Sequence, residues 1–362
     1  MHRWAFYINL PIGGLALPVY IFMLPSPDPQ PGASLRARLA EIDWVGSILF
    51  IGAAVSLTLA INFGGILYAW DSGSEIALFV VAGVLFIVFG LQQAFCVLVR
   101  PDRRLIPVNR LFKPKSIRTV LLMFATTAAG GCGIFVPVYF IPLFFQFTRG
   151  DSPIQAAVRL LPSIVALVFS CLLQGGLLSH PSGKFGVYVP WFTVGGALCT
   201  VGAALMYVVD IHTSTAWVYG SSTLLSFGVG LFAQSGFAIA QASVPESEAA
   251  LASAFITLAQ TGGITISLAI SNAIFINGAE DRLAAILPPN VSREQIQAAI
   301  AGVGGDFVGM LPHEMQVQVL EAIVEAIRRP YILVMTAGAL VVVLSAVMKR
   351  ERLFLAGTAV GV

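Results

Sequence analysis

The sequence predicts an all-α polytopic membrane protein, and three observations carry that prediction. Of the 362 residues, 57% are hydrophobic and only 10% are charged, and the mean hydropathy is +0.87. A soluble domain carries about 25% charged residues, and a water-facing surface could not hide this much apolar area. Next, nine stretches contain no Asp, Glu, Lys or Arg and are long enough to cross a bilayer. A helix needs roughly 20 apolar residues to span the ~30 Å hydrocarbon layer. Finally, the basic residues cluster between these stretches in a way that orders them topologically.

The stretches lie near 5–24, 44–63, 76–98, 119–148, 160–178, 187–209, 213–240, 250–278 and 330–348. The first reads as a span and not as a cleavable signal, because no basic leader precedes it and Pro11 breaks its middle. Glycine and proline inside the others do not demote them, since both are common in membrane helices. The longest two, 119–148 and 250–278, are expected to include interfacial turns or tilt. Cys96, Cys132, Cys171 and Cys199 each sit in an apolar run without a C-x-x-C pair, and read as small buried hydrophobes.

Orientation follows from lysine and arginine. With the C-terminus inside, the inner segments carry Arg36, Arg38, Arg100, Arg103, Arg104, Arg110, Lys113, Lys115, Arg118, Lys184, Lys349, Arg350 and Arg352. The short outer segments carry only Arg3, Arg149 and Arg159, so the C-terminus is expected to be cytoplasmic. Nine spans then put the N-terminus outside. Odd parity, and a start that nothing in the first four residues helps to translocate, lead to the expectation of further helices upstream of Met1. The inner segment 99–118 mixes seven basic residues with apolar ones, and reads as a topology-setting linker or a strip along the inner leaflet.

The one long outer loop is 279–329. Ser292 with Gln295 fits a capping box, starting a short helix that ends near Gly302. A second amphipathic helix is expected at 313–328, with Val317, Leu320, Val324 and Ile327 on one face. Asn290 opens an N-x-S sequon and is a glycosylation candidate.

An intramembrane enzyme would need acids, histidines or a metal cluster at membrane depth. His2, His180, His212 and His313 all fall in loops or at helix ends, and no H-E-x-x-H, G-x-S-x-G or Walker-type loop occurs. Catalysis, a metal site and a cofactor are therefore not expected, and a net charge of +2 is too small to point to nucleic acid. What the spans hold is uncharged polar groups: Asn9, Gln146, Gln174, Gln234, Gln260 and Asn272, with Gln92 and Gln93 at an edge. In lipid an unpaired amide is costly, so each must face a neighbouring helix or a watery cavity. Singly they read as interhelical hydrogen bonds. As a set they suit a cavity for an amphipathic organic solute better than an ion pore, which would show charge rings or a carbonyl filter.

The span 119–148 contains Gly130, Gly131 and Gly133, then Pro137 and Pro142. Each proline removes a backbone bond and crowds the preceding turn, so these five are expected to break the helix, at a binding site or gate or else as a packing kink. Tyr139, Phe144, Phe145 and Gln146 beside them suit a polycyclic substrate, although Phe144 and Phe145 fit lipid equally well. The candidate substrate-binding residues are Tyr139, Phe144, Gln146, Gln234 and Gln260.

Three segments then carry a family resemblance. "RWAFYINLPIGG" (3–14), with Arg3, Trp4, Phe6, Tyr7, Asn9, Pro11 and Gly13, resembles the sixth-helix signature of the fourteen-spanning drug:proton antiporters of the major facilitator superfamily. "YFIPLFFQFTRGDSPIQAAVRLLP" (139–162) is similar to the family's join between helices nine and ten, and "LAQTGGITISLAISNAIFIN" (258–277) to its thirteenth helix. The resemblance covers essentially the whole chain. It implies a partial major facilitator fold of about nine transmembrane helices. Residues 1–24 would hold the last helix of the N-terminal bundle, 25–118 two inserted helices and a basic linker, and 119–352 the complete C-terminal six-helix bundle. An even-numbered helix at 5–24 agrees with the orientation derived from charge.

Two departures qualify the resemblance. His2 stands where a tryptophan is usual, and the loop 176–188 keeps Gly183, Lys184 and Gly186 of a gating loop but lacks its aspartate. No carboxylate is expected inside any span, and the five helices that would carry the family's proton-coupling acids are not in the sequence. The resemblance implies a monomeric exporter of small hydrophobic drugs, toxins or secondary metabolites, working by proton antiport and alternating access in the plasma or vacuolar membrane. An uptake carrier of the same superfamily, for siderophores or amino acids, and a transport-inactive fragment are the alternatives.

Overall fold

The structure, a computed structural model, describes residues 7, 9–23, 32, 34–65, 67–100, 104–106, 113, 116–179, 186–289, 291–301, 309 and 311–351. The chain divides into two units, Met1–Asp43 and Trp44–Val362. The first holds α1 (Asn9–Pro18), which continues as one π-helical turn, Val19–Met23, and the short α2 (Leu35–Leu39), capped by the Ser34 hydroxyl. The stretch expected at 5–24 is thus described as an apolar helix over Leu10–Met23. Eight further helices or helix pairs among the described residues are long and apolar enough to cross a membrane, so the chain is an integral multi-pass membrane protein.

In the second unit α3 (Trp44–Phe63) and α4 (Gly73–Phe95) form a hairpin, with the Phe50 and Phe89 rings 5.6 Å apart. The helix α4 starts three residues before the apolar run because the Ser72 hydroxyl accepts from the Glu75 N–H at 3.2 Å. This corrects the expectation that no carboxylate lies within a span. Glu75 is fully buried in the first turn, and neither of its oxygens has a hydrogen-bond partner among the described residues. A first-turn acid is favoured by the helix dipole, and the cap rather than hydropathy sets the boundary. At the other end Gln92 donates to the Val97 carbonyl (3.2 Å), while Gln93 donates to Gln92 (2.6 Å) and accepts from the Ile106 N–H (2.9 Å). That pair closes a helix end and docks the next segment.

The turn that joins the hairpin is fixed by a glycine. Gly65 has φ +77°, and a Cβ there would strike the Asn277 side chain and the Trp70 indole. Its N–H donates to Tyr68 O at 2.8 Å. Gly65→Ala is therefore expected to cost about 1–3 kcal/mol, seen as a lower unfolding midpoint in detergent.

Next come α5 (Ile117–Arg149), α6 (Pro153–Arg159), α7 (Leu161–Leu178), α8 (Val189–Tyr207), α9 (Thr215–Gly230) and α10 (Ser235–Ala242). They are followed by α11 (Ala249–Ile286), α12 (Arg293–Ile300), α13 (His313–Arg328) and α14 (Tyr331–Ala346). The centre of the bundle is α5 with α9–α10, whose spans are 61% and 67% buried, against 17% for α3 and for α4. Around this centre α11 and α14 pack on α5, α8 on α9 and α14, and α7 on α9.

These contacts are made by backbone approach at glycines, as expected where helices associate without a hydrophobic drive. A Cβ on Gly263 of α11 would lie 2.5 Å from the Ala128 carbonyl of α5. One on Gly196 of α8 would lie 2.9 Å from the Gly338 carbonyl of α14.

The expected break in the 119–148 span is corrected. The helix α5 runs uninterrupted for 33 residues through Pro137 and Pro142. Each proline costs one backbone bond, which a long ladder flanked by α11, α14 and α10 absorbs. The glycines Gly130, Gly131 and Gly133 are packing positions instead, facing Ala233 and Phe232, Gln260 and Ile264, and Val229. The break lies elsewhere, at 231–234 between α9 and α10, where Leu231 and Phe232 donate three residues back to Gly228 and Val229.

The segment 279–329 is more helical than a loop. The 38 residues of α11, about 57 Å at 1.5 Å each, carry the helix on to Ile286, well beyond a ~30 Å layer. The capping box forms as expected at Ser292 and Gln295, and α12 ends at Ile300. The helix α13 occupies the expected residues and packs on α5 and α11. Its buried face holds Val319, Ile323, Val324, Ala326 and Ile327, whereas Val317 and Leu320 of the expected face are half-buried. Only Arg329 and Pro330 separate it from α14. Arg282 of α11 pairs with Glu325, and Arg328 lies 5.7 Å from the Tyr207 ring centroid.

Candidate functional site

Among the described residues, α11 carries a polar stripe on its exposed face. Thr257, Thr261 and Thr265 on α11 recur every four residues and are exposed, with Asn272 further along the same face. Thr257 and Thr265 donate to the carbonyls of Ser253 and Thr261, each at 2.9 Å, which satisfies the hydroxyl protons within the helix. An amide cannot be satisfied so simply, and polar groups within spans mark cavities and pathways. By contrast the exposed face of α7 is Val165, Val168, Phe169 and Leu172, which suits acyl chains.

At the Asn272 end of this face lies a cavity of about 460 Å³, within the usual range for organic ligands. It is lined by Asn62 of α3, Tyr139 of α5, and Ile264, Thr265, Leu268, Ala269 and Asn272 of α11. Two amides, a phenol and a hydroxyl thus face aliphatic side chains, with no charged group among the lining residues. Asn62 donates one N–H to the Thr58 carbonyl at 2.8 Å, which fixes its rotamer and leaves the amide oxygen as an acceptor. Such a site can orient a neutral molecule through its own hydroxyl and carbonyl groups.

A larger cavity of about 740 Å³ lies between α5, α11 and α14, and its lining includes Phe124, Cys132, Ile266 and Leu340. The hydroxyls there, Ser267 and Thr336, donate into their own helices at 3.1 and 2.8 Å. It offers an apolar wall rather than a recognition site.

Of the five candidate substrate-binding residues, Tyr139 alone lines the smaller cavity, half of its surface exposed. Gln146 is half-buried two turns along the same face of α5. Gln234 is exposed at the α9–α10 break, and Gln260 is half-buried where α11 crosses Gly131.

Phe144 is corrected: it is 2% exposed and, like Phe145, belongs to the packed core. Its ring packs edge-on against Phe145, 5.5 Å between centroids, and α6 in turn sets Arg159 4.8 Å from the Phe145 ring centroid. Asn62 and the threonine stripe were not among the expected site residues; the four-residue spacing of the threonines was the available signal, and nothing in the sequence brings α3 to α11.

The remaining candidates divide by what is described. Gly183, Lys184, Asn290, Arg3, Trp4 and Phe6 lie outside the described residues, as does the Asn9 side chain. Gly186 is buried just before α8, while Tyr7, Pro11 and Gly13 are exposed.

The described residues thus form a bundle of membrane-spanning helices with a polar stripe and a neutral, ligand-sized cavity between α3, α5 and α11. The profile of the Major Facilitator Superfamily matches residues 2–268, and the chain belongs to that family. It is 47% identical over 354 residues to the MFS-type transporter pgmG of Aspergillus terreus, covering 98% of this chain and 62% of that one. It is 43% identical over 358 residues to the efflux pump alnA of Emericella nidulans, covering 99% and 64%. A third relative, the phomenoic acid biosynthesis cluster MFS-type transporter of Leptosphaeria maculans, is 41% identical over 371 residues, 98% of this chain and 58% of that one. The chain thus spans less than two thirds of the length of these relatives. All three relatives are named as transporters or efflux pumps.

Proposed function

We propose that the chain forms part of an exporter of neutral amphipathic secondary metabolites or toxins. The observation that carries this is the cavity where Asn62, Tyr139, Thr265 and Asn272 meet aliphatic side chains without a charge among them. A carrier of amino acids or of a charged chelate would need a compensating charge at such a site. Relatives named as efflux pumps support the outward direction, and one named for a biosynthetic cluster supports a secondary metabolite as cargo.

On this reading transport proceeds by alternating access, with the α5–α11 face rocking against a second bundle and protons moving inward in exchange. The protein works as a monomer in the plasma or vacuolar membrane, with the C-terminus cytoplasmic. The distribution of lysine and arginine supports that orientation.

The test is export of the anthraquinone emodin from drug-sensitive yeast. Cells would express the chain alone, or together with the part of the Aspergillus terreus relative that it does not match. Lower emodin accumulation, restored by a protonophore and by Tyr139→Ala with Asn272→Ala, is the expected result. Export that survives the double substitution would remove the cavity from the reading.

A further inference from the structure

Among the described spans those of the α3–α4 hairpin are the least buried, yet its turn is bonded to the α11–α12 segment. The Gly64 carbonyl accepts from the Asn277 amide at 3.2 Å. The next carbonyl, of Gly65, accepts from the Arg293 guanidinium at 2.7 Å, and Arg293 is itself held by Glu280 of α11. Asn277 is further fixed by its bond to the Ala273 carbonyl at 2.9 Å. Two consecutive carbonyls at the end of α3 are therefore pinned to the α11–α12 segment, and Asn62 lies two residues before the first of them. Its side chain is oriented by Thr58 and lines the same cavity as Tyr139 and Asn272.

We infer that Asn62 is a substrate-contacting residue that sets specificity, and that the clamp at Gly64 and Gly65 exists to hold it there. The inserted hairpin then takes part in recognition and is not a passive spacer. A hydroxyl of the ligand donates to the Asn62 amide oxygen, while Asn272 and Tyr139 engage its other polar edge. The class selected is a neutral polyoxygenated ring system. This rests on the cavity's being the substrate site.

The experiment compares binding of emodin at pH 6 with that of anthracene, which has no polar group, to the purified chain in lipid nanodiscs. Asn62→Leu keeps the branched shape of the side chain and removes the polar edge, and Asn62→Ala removes both. Loss of one ligand hydrogen bond is worth about three- to tenfold in affinity. Both variants should weaken emodin by that factor and leave anthracene unchanged. Asn277→Ala, which releases the clamp, should weaken emodin in the same direction.

Equal weakening of both probes would mean that Asn62 serves only the fold, and would overturn the inference. If Asn272→Ala weakens emodin while both Asn62 variants bind normally, the hairpin role fails and the cavity stands. If neither position affects emodin, the cavity fails with it.

Discussion

Gly228→Ala is expected to destabilise the protein by about 1–3 kcal/mol, while Gly220→Ala, eight residues earlier on the same helix, is expected to stabilise it by up to about 1 kcal/mol. Both glycines sit in α9, so helix propensity alone would favour alanine at each. They differ in what a methyl group would meet. At Gly228 it would lie 2.5 Å from the Cys199 amide nitrogen and 2.7 Å from the Gly195 carbonyl oxygen of α8. Those are backbone atoms, so relief requires α8 and α9 to move apart along their whole interface. At Gly220 nothing lies within 4 Å. Thermal unfolding of the two variants in one detergent would read the signs directly. A Gly228→Ala variant as stable as the parent would show that α8 and α9 do not meet as described.

Asp151→Ala should cost about 2 kcal/mol, less than a fully buried pair would lose, because the Arg159 side chain keeps 29% of its surface in solvent. Arg159 makes two bonds to the Asp151 carboxylate, one of 3.1 Å, and a longer one of 3.4 Å to the Tyr219 hydroxyl, while lying over Phe145. The pair thereby ties α6 to the end of α5 and the start of α9. Without Asp151 the guanidinium keeps only the phenol and the ring. Removing both residues should cost less than the sum of the single losses, which a double-mutant cycle in thermal unfolding would measure. Strict additivity would show that the pair is not coupled.

The same segment shows what was legible. "RGDSPIQAAVRLLP" was recognisable in the sequence as a family resemblance, and the structure gives its residues local roles. Gly150 takes φ +63° to end α5, and Ser152 and Gln155 cap α6 reciprocally behind Pro153. Asp151 then closes back on Arg159. Caps of this kind, like the one at Ser292, are readable because they involve residues three apart. The amphipathic helix 313–328 was readable for the same reason, through its spacing.

The helix break was misread because proline is a strong local signal and a weak one against tertiary context. The ladder of α5 survives Pro137 and Pro142 inside the bundle, whereas α9 gives way after Gly228 and Gly230 with no proline at all. There a Cβ on Gly230 would meet Ser170 and the Leu167 carbonyl of α7. Packing against a neighbouring helix decides such a site, and a single-chain pattern does not contain it.

By itself the sequence determined that the chain crosses a membrane many times as helices, roughly where each span lies, and which family it resembles. These follow from hydropathy, the hydrocarbon thickness and short-range capping, all functions of residues close together in the chain. Only the tertiary structure decided that Asn62, Tyr139 and Asn272 share one cavity, that Phe144 lies in the core, and that a carboxylate sits buried in α4. Residues 62 and 272 lie on different helices far apart in sequence, and what joins them is a clamp of two backbone carbonyls to Asn277 and Arg293. Backbone carbonyls are the same at every position, so the sequence carries no mark of which two will be used.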